Sequence, residues 1–239
     1  MEWFSSWFDT PYYHQLYNNR DFSEAEKFMT NLLDHLNLKK DSTILDLACG
    51  KGRHSIFLNR KGFRVKGVDL SKQSIEAAKK YENDNLKFAV HDMRNKLNEN
   101  FDAVFNLFTS FGYFEDDADD IAVLETIKNS MNSSSIAVID FMNSEKVIKN
   151  LVNSEVQKRG NLDFHIKRYV EHNIIHKNIK FRDKGIDFDF TEKVKAIRLD
   201  KFKDYFNRTG LKLVKTFGNY DLEGFSPETS DRLIMILTK

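Results

Sequence analysis

The sequence predicts an α/β fold in which a mostly parallel sheet carries helices on both faces and is followed by an antiparallel β insert. Three observations support this prediction. Short apolar runs alternate with helix-like stretches between residues 41 and 154. A glycine-containing turn follows the first of these runs. From about residue 155 to 199, apolar and polar residues alternate, which is typical of half-exposed antiparallel strands.

The N-terminal segment, residues 1–40, has a helical pattern. Ser23 and Glu26 have the spacing of a capping box at the start of a helix. Apolar residues then recur at intervals that place them on one helix face, at Phe28, Leu32, Leu33 and Leu36.

The segment from 41 to 154 has the pattern of a parallel sheet. Helix-like stretches at Arg53–Arg60, 72–81 and 118–131 separate most of its apolar runs, and strands that alternate with helices favour parallel pairing. The apolar runs predict five strands, which end near Leu47, Val68, Val90, Leu107 and Ile139.

The remaining chain predicts the insert and a final helix and strand pair. Residues 164–170 and 186–190 alternate between apolar and polar side chains within the insert, residues 155–199. The last part, 200–239, contains a helix that begins near 199 and two strands, at 211–217 and at Arg232–Thr238. We interpret residues 1–239 as a single domain.

The composition narrows the classes of partner. The formal net charge is only +1, whereas a protein that neutralises many phosphates usually carries a large basic excess, so we expect no nucleic-acid partner. Cys49 is the single cysteine, which excludes a disulfide within the chain and favours the cytoplasm. The sequence has neither a signal-peptide pattern nor a membrane-spanning apolar run.

The turn after the first strand indicates a ligand site. A buried strand, 44–47, runs into a tight turn with glycines at positions 50 and 52, and a helix follows. Glycines allow the backbone to approach a ligand closely, and the start of the helix presents free N–H groups that suit a phosphate or a carboxylate. A dinucleotide fingerprint would need glycines at 48, 50 and 53, and this chain has Ala48 and Arg53 at two of those positions.

Polar side chains also follow the next strands. Asp69 ends the second strand, where a carboxylate can accept hydrogen bonds from a ribose diol. Asp92 follows the third strand, and Leu107 ends the fourth. The carboxyl ends of consecutive parallel strands form the ligand crevice of an open α/β sheet, so these residues are expected to lie close together.

Residues 46–52, together with these strand ends, resemble the motifs of class I S-adenosylmethionine-dependent methyltransferases, in which an acidic residue and a spacer precede G-x-G-x-G. Ala48 departs from that pattern at the first glycine. The resemblance implies a Rossmann-like, seven-stranded, mostly parallel sheet and S-adenosylmethionine as the cofactor, with S-adenosylhomocysteine as its product. It also implies the following cofactor-binding residues: Ala48, Gly50, Gly52, Asp69, Leu70, Asp92, Met93 and Leu107.

The N-terminal segment is similar to the helical lid of sugar-amine and glycine N-methyltransferases within that family. By that similarity, Tyr17 and Arg20 would contact the methionine part of the cofactor, with Arg20 at its carboxylate. The resemblance further implies a small-molecule acceptor, with methylation of an amine nitrogen favoured over methylation of an oxygen. We therefore expect a monomer or a homodimer that acts on a small molecule.

Transfer from a sulfonium depends mainly on alignment, so few catalytic side chains are required. Tyr13 and Tyr113 are the candidates, since both are expected near the transferred methyl group. The acidic run at 115–120 more simply charges the start of the next helix, and no metal site is expected. The insert has one apolar face, which we expect to roof the acceptor pocket; a dimer interface or the edge of the core are the alternatives for this face.

Three alternative functions stay open. The first is a protein or nucleic-acid methyltransferase, although the segment 106–109 lacks the Pro-Pro-aromatic motif of amino-group enzymes that act on bases. The second is a protein that binds the cofactor without catalysis. The third is a nicotinamide oxidoreductase, which the poor glycine fit disfavours.

Overall fold

The computed structural model describes residues 3–17 and 22–239. In chain order, its elements are α1 (Trp3–Trp7), α2 (Pro11–Leu16), α3 (Phe22–Leu36), β1 (Thr43–Leu47), α4 (Arg53–Arg60), β2 (Arg64–Asp69), α5 (Lys72–Lys79), β3 (Leu86–Val90), β4 (Phe101–Asn106), α6 (Asp117–Asn129), β5 (Met131–Met142), α7 (Ser144–Lys149), β6 (Ser154–Arg159), β7 (Leu162–Glu171), β8 (Ile174–Asp183), β9 (Ile186–Lys195), α8 (Leu199–Thr209), β10 (Lys212–Phe217) and β11 (Arg232–Thr238).

The main sheet has seven strands in the order β10-β11-β5-β4-β1-β2-β3. Strands β1 to β5 pair in parallel, and β11 is antiparallel to both β5 and β10. The predicted mostly parallel α/β sheet is therefore confirmed. Because β2 and β4 lie on opposite sides of β1, the chain crosses the sheet in both directions from β1, and a crevice opens at the carboxyl ends of these strands.

Helices cover both faces of this sheet, as the sequence predicts. Along β1, Ile44 contacts the apolar cluster that contains Phe28 of α3 and Leu58 of α4. The next residue, Leu45, belongs to the cluster on the other face, which includes Phe202 of α8. Successive side chains of a strand point to opposite faces, so a strand covered on both faces is apolar at consecutive positions.

Some boundaries differ from the prediction. Strand β5 continues three residues beyond Ile139 because it pairs with β11 as far as Met142 and Arg232. Helix α3 has already begun at Phe22, so Ser23 lies within the helix and is not its cap. The short helix α7 was not predicted from the sequence.

The insert forms a separate antiparallel sheet of four strands in the order β6-β7-β8-β9. Its apolar face packs directly against the N-terminal helices. The ring of Phe190 lies 4.5 Å from that of Trp7, and Tyr12 lies 4.7 Å from Phe181 and 4.8 Å from Phe188, measured between ring centroids. The expected apolar face is thus present, and helices α1 and α2 cover its aromatic side chains.

The acidic run joins the core to the insert. Asp117 and Asp120 lie in the first turn of α6, as expected from the sequence. Lys195, the last residue of β9, donates to Asp120 (2.8 Å) and to Asp117 (3.1 Å). Burial raises the pKa of Asp120 to about 6, although the hydrogen bond from Lys195 acts in the opposite direction. Asp117 also forms an ion pair with Lys201 of α8 (2.7 Å).

We expect Lys195→Met to lower the free energy of unfolding by about 3 kcal/mol at neutral to alkaline pH, because it leaves the fully buried Asp120 carboxylate unpaired. Lys201→Met is the matched control. Its partner Asp117 has 43% side-chain exposure, so Lys201→Met should lower the free energy of unfolding by less than about 1 kcal/mol.

Urea unfolding monitored by circular dichroism measures both losses. Removing Lys195 raises the pKa of Asp120 further, so the carboxyl takes up a proton as the pH falls, and the difference between variant and wild type should shrink in mild acid. Equal losses for the two variants would contradict this assignment.

Candidate functional site

The turn after β1 has three residues in the left-handed region: Ala48 at φ 65°, Gly50 at φ 55° and Gly52 at φ 79°. The Cys49 N–H donates to the carbonyl oxygen of Val68 (2.9 Å), which joins the turn to β2. A Cβ at position 52 would lie 2.5 Å from a ring carbon of Phe88, so both space and backbone conformation require glycine there. At Gly50, no atom of the described chain would lie within 4 Å of an added Cβ, so this side of the turn is open.

Helix α4 begins directly after this turn. Its cap residue, Gly52, provides no side chain to accept from the first N–H groups of the helix. These groups carry a partial positive charge, which favours an anionic ligand at this end of the helix.

The carboxylate of Asp69 organises the turn from the end of β2. One oxygen accepts from the Gly50 N–H (2.7 Å), and the other accepts from the Ser71 N–H (2.8 Å). Burial raises the pKa of Asp69, and the two backbone hydrogen bonds partly oppose that effect. A carboxylate has about four acceptor positions, so Asp69 retains capacity for the hydroxyl groups of a ligand.

Asp92, at the end of β3, forms an ion pair that was not predicted from the sequence. Its carboxylate accepts from Arg94 Nη2 (2.6 Å), and the Arg94 guanidinium lies 4.6 Å from the centroid of the Phe114 ring. Burial alone would raise the pKa of Asp92, but the hydrogen bonds and the charge of Arg94 outweigh it and lower the pKa. Asp92 is therefore held ionised and fixed in orientation.

The three apolar residues predicted to contact the cofactor differ in their exposure. Leu70 follows Asp69 and is 38% exposed, and Met93 is partly buried against the core. The side chain of Leu107 is buried within the core, so only its main chain is available to line a ligand.

The turn after β4 is strained and is held by a buried carboxylate. Phe108 and Thr109 have φ values of 56° and 62°, which are unfavourable for residues with a Cβ. Asp140 of β5, which has no solvent exposure, accepts from the Phe108 N–H (2.9 Å) and from Arg232 Nε (2.8 Å). Arg232 Nη2 also donates to the Thr109 hydroxyl (3.0 Å). The sequence signal for this pair is the acidic residue within the apolar second half of β5.

The two candidate catalytic tyrosines belong to one aromatic cluster. The Tyr113 hydroxyl donates to the carbonyl oxygen of Thr109 (2.5 Å). The ring of Phe8 lies 5.6 Å from that of Tyr113 and 4.8 Å from that of Tyr13. Trp3 packs edge-on against Tyr113 at 5.5 Å. The N-terminal helices are therefore packed against the loop that follows β4.

Tyr17 contacts the insert. Its hydroxyl donates to the Glu192 carboxylate (2.7 Å) and accepts from Lys177 Nζ (2.5 Å). Trp7 Nε1 donates to the same carboxylate (2.7 Å). Arg20, which was expected at the cofactor with Tyr17, lies outside the described residues.

The other end of this N-terminal segment is bound to the core. The Asp9 carboxylate accepts from the hydroxyl of Ser71, and Ser71 also accepts from the Ser74 N–H (3.1 Å) as the cap of α5. The segment therefore extends from the loop beside Asp69 to Glu192 of the insert. It therefore passes beside the carboxyl ends of the parallel strands, where Asp69 and the turn after β4 lie.

These features define an α/β domain whose strand ends offer acceptors for hydroxyl groups at Asp69 and donors for an anion at the start of α4. A family model described as "Methyltransferase domain" matches residues 38–205. The chain therefore belongs to the methyltransferase domain family, and the resemblance found in the sequence is confirmed.

Curated relatives include the putative methyltransferase YqeM of Bacillus subtilis (strain 168), which is 29% identical over 139 residues, 56% of this chain and 54% of the relative. Glycine N-methyltransferase of Oryctolagus cuniculus is 28% identical over 153 residues, 56% of this chain and 52% of the relative. The chain spans about half the length of these relatives.

Solved structures show the same fold over nearly the whole chain. An S-adenosylmethionine-dependent methyltransferase from Clostridium acetobutylicum ATCC 824 has a TM-score of 0.80 at 21% identity, covering 95% of each chain. The sugar N-methyltransferase KedS8 from Streptoalloteichus sp ATCC 53650 has a TM-score of 0.72 at 17% identity, covering 93% of this chain and 90% of that one.

Family membership confirms the predicted cofactor, S-adenosylmethionine. The residues present fit it. Asp69 provides acceptors for the ribose hydroxyls, the start of α4 provides donors for the carboxylate, and the backbone at Gly50 is open to a ligand.

Within the described residues, no group of three or more His, Cys, Asp or Glu side chains has the arrangement of a metal site. No helix of the described chain is both long enough and apolar enough to cross a membrane.

We expect Asp69→Ala to weaken binding of S-adenosylhomocysteine at least about tenfold, because each hydrogen bond from a ribose hydroxyl to a charged group contributes about 1.5–3 kcal/mol. Calorimetric titration measures the change. Asp69→Asn, which keeps one acceptor oxygen, should lose less, and Asp84→Ala removes an exposed carboxylate as a control. Unchanged affinity in a folded Asp69→Ala variant would refute this role of Asp69.

Proposed function

We propose that this protein transfers a methyl group from S-adenosylmethionine to a small-molecule acceptor and that the acceptor atom is an amine nitrogen. The observation that carries the proposal is the cover over the crevice. The segment 3–17 contacts the core through Asp9 and the insert through Trp7 and Tyr17, and it packs on Tyr113 just beyond the turn after β4.

The cofactor would be bound by two sets of residues. The backbone of Ala48, Gly50 and Gly52 would contact its amino-acid part, and Asp69 its ribose. Asp92 and Met93 remain the proposed surroundings of the adenine, and Leu70, next to Asp69, remains a proposed contact as well. The main chain of Leu107, at the end of β4, is the proposed contact near the methyl group. Tyr17 is the proposed link between this site and the insert.

When bound, the cofactor supplies a methyl group on a sulfonium leaving group, so the protein needs to align the acceptor and exclude water. A neutral amine would form the new N–C bond with its lone pair as the S–C bond broke, and the electron pair of that bond would stay on sulfur. The ammonium product would lose its proton to solvent after release. The Tyr113 hydroxyl already donates to Thr109, and so we assign Tyr113 the role of wall and positioning residue. Tyr13 has the same proposed role on the opposite side of Phe8.

Three facts support a small acceptor. A macromolecule could reach the turn after β4 only if α1 and α2 left their contacts with Tyr113 and Glu192. The net charge of +1 provides little attraction for nucleic acid. A glycine and a sugar N-methyltransferase are among the similar proteins, which favours nitrogen over oxygen.

The proposed organisation is one domain with four parts. Residues 1–40 form the lid, 41–154 the cofactor-binding core, 155–199 the insert that supports the lid over the acceptor, and 200–239 the final helix and strand pair. The single cysteine supports a cytoplasmic location.

An acceptor panel tests the proposal. The full chain is incubated with S-adenosylmethionine and with amino sugars, glycine, sarcosine, hydroxy acids, phenols, RNA or unfolded protein, and release of S-adenosylhomocysteine is measured. We expect release with a small amine, loss of activity in Asp69→Ala, and a product whose mass spectrum locates the methyl group on nitrogen.

Each other outcome selects a different function. Release with a phenol or hydroxy acid alone would indicate an O-methyltransferase. Release only with RNA or protein would refute the small-molecule acceptor. Cofactor binding without turnover against any acceptor would indicate a binding protein.

A second experiment examines the cover itself. We expect amide hydrogen exchange in residues 10–17 to slow when S-adenosylhomocysteine binds, since a lid that closes over the ligand loses access to water. Residues 212–217 on the edge of the sheet provide an internal control. If exchange in 10–17 stays unchanged while the ligand binds, α2 has only a structural role.

A further inference from the structure

Helix α2 has two functional faces. Tyr12 donates to Asp183 (2.9 Å), Gln15 donates to the carbonyl oxygen of Arg159 (2.8 Å), and Leu16 is buried, so this face holds the insert. At 100° per residue, His14 lies on the other side of the helix from Tyr12 and Leu16. Asp9, two residues before α2, is hydrogen-bonded to Ser71 beside Asp69, so the helix begins near the glycine turn. From that turn, the charge of Lys51 acts on the His14 ring.

The Nε2 atom of His14 is buried and has no hydrogen-bond partner among the described residues. Buried polar atoms almost always have a hydrogen-bond partner, because burial removes the water molecules that would otherwise bond to them. The ring packs edge-on against Tyr13 at 5.4 Å, and that contact does not satisfy the nitrogen. A partner that is not part of the protein is therefore expected at this atom.

The surroundings of His14 select an anionic partner. Burial lowers the pKa of His14 to about 4, Lys51 lowers it as well, and Asp9 acts in the opposite direction. The imidazole is thus neutral near neutral pH and has an N–H to donate. No described residue forms a salt bridge with Lys51, and the start of α4 adds partial positive charge on the same side of the turn.

We propose that His14 donates a hydrogen bond to the carboxylate of the amino-acid part of the cofactor, with Lys51 as the accompanying cation. This inference rests on the proposed function. Of the groups in the cofactor, the carboxylate is the one that carries negative charge, whereas the nucleoside is neutral and the sulfonium and amino groups are cationic. The contact makes closure of α2 dependent on the amino-acid part of the ligand.

A bound carboxylate also stabilises the protonated imidazole. It raises the pKa of His14 above its value in the free protein. As the pH falls toward this raised pKa, binding of the ligand is accompanied by uptake of a proton at His14. Protonation of Asp69 opposes binding in acid, and it does so equally in variants that keep Asp69. The ratio of the affinities of wild type and a His14 variant therefore isolates the contribution of His14.

Calorimetric titration of the full chain with S-adenosylhomocysteine tests the proposal. His14→Leu should weaken binding about tenfold near pH 7.5, and by a larger factor near pH 5.5. His14→Gln places an amide donor close to the position of Nε2 and should restore binding near pH 7.5 without restoring the pH dependence. Asp84→Ala, which removes an exposed carboxylate in the turn before β3, should bind like wild type at both values.

A second ligand, 5′-methylthioadenosine, shares the nucleoside and lacks the carboxylate. Its affinity should be the same for wild type and for His14→Leu. Equal weakening of both ligands, or unchanged affinity for S-adenosylhomocysteine in folded His14→Leu, would overturn the assignment of His14. Failure of wild type to bind S-adenosylhomocysteine would instead refute the proposed function.

Discussion

The buried carboxylate of Asp140 holds together the side of the crevice where the acceptor is expected to react. It accepts from the backbone of Phe108 and from the guanidinium of Arg232. Phe108 and Thr109 both have left-handed backbones, each of which costs about 1–3 kcal/mol and persists only where surrounding contacts define it. The Tyr113 hydroxyl donates a hydrogen bond to Thr109, and the N-terminal helices pack on the Tyr113 ring. The position of these helices therefore also depends on the Asp140 carboxylate.

The sheet and the glycine turn could be predicted because their determinants are local. A buried strand, two glycines and a following helix occupy adjacent positions, and Asp69 meets Gly50 because parallel strands end at one edge. The contacts that complete the site join distant positions. Arg232 and Asp140 are 92 residues apart, and no periodicity relates them. Leu107 shows a related limit, since the sequence located it at the strand end but did not show that its side chain points into the core.

The position of Tyr17 is explained by its hydrogen-bond partner, Glu192. Glu192 has only 13% side-chain exposure, so its carboxylate must be compensated by donors within the protein. Trp7, Tyr17 and the nearby Lys177 supply them, which draws the end of the N-terminal segment toward the insert. A tyrosine expected at the cofactor from family resemblance thereby links the lid to the insert. The sequence could identify the residue type but not the buried charge that attracts it.

The insert leaves the main sheet after α7 and returns before α8, and within the described residues its four strands pair only with one another. None of the parallel strands that carry the glycine turn and Asp69 takes part in that pairing. Hairpins can therefore lengthen, shorten or exchange side chains without shifting the register of the main sheet. Evolution can therefore vary the insert and the strand ends of the main sheet independently of each other.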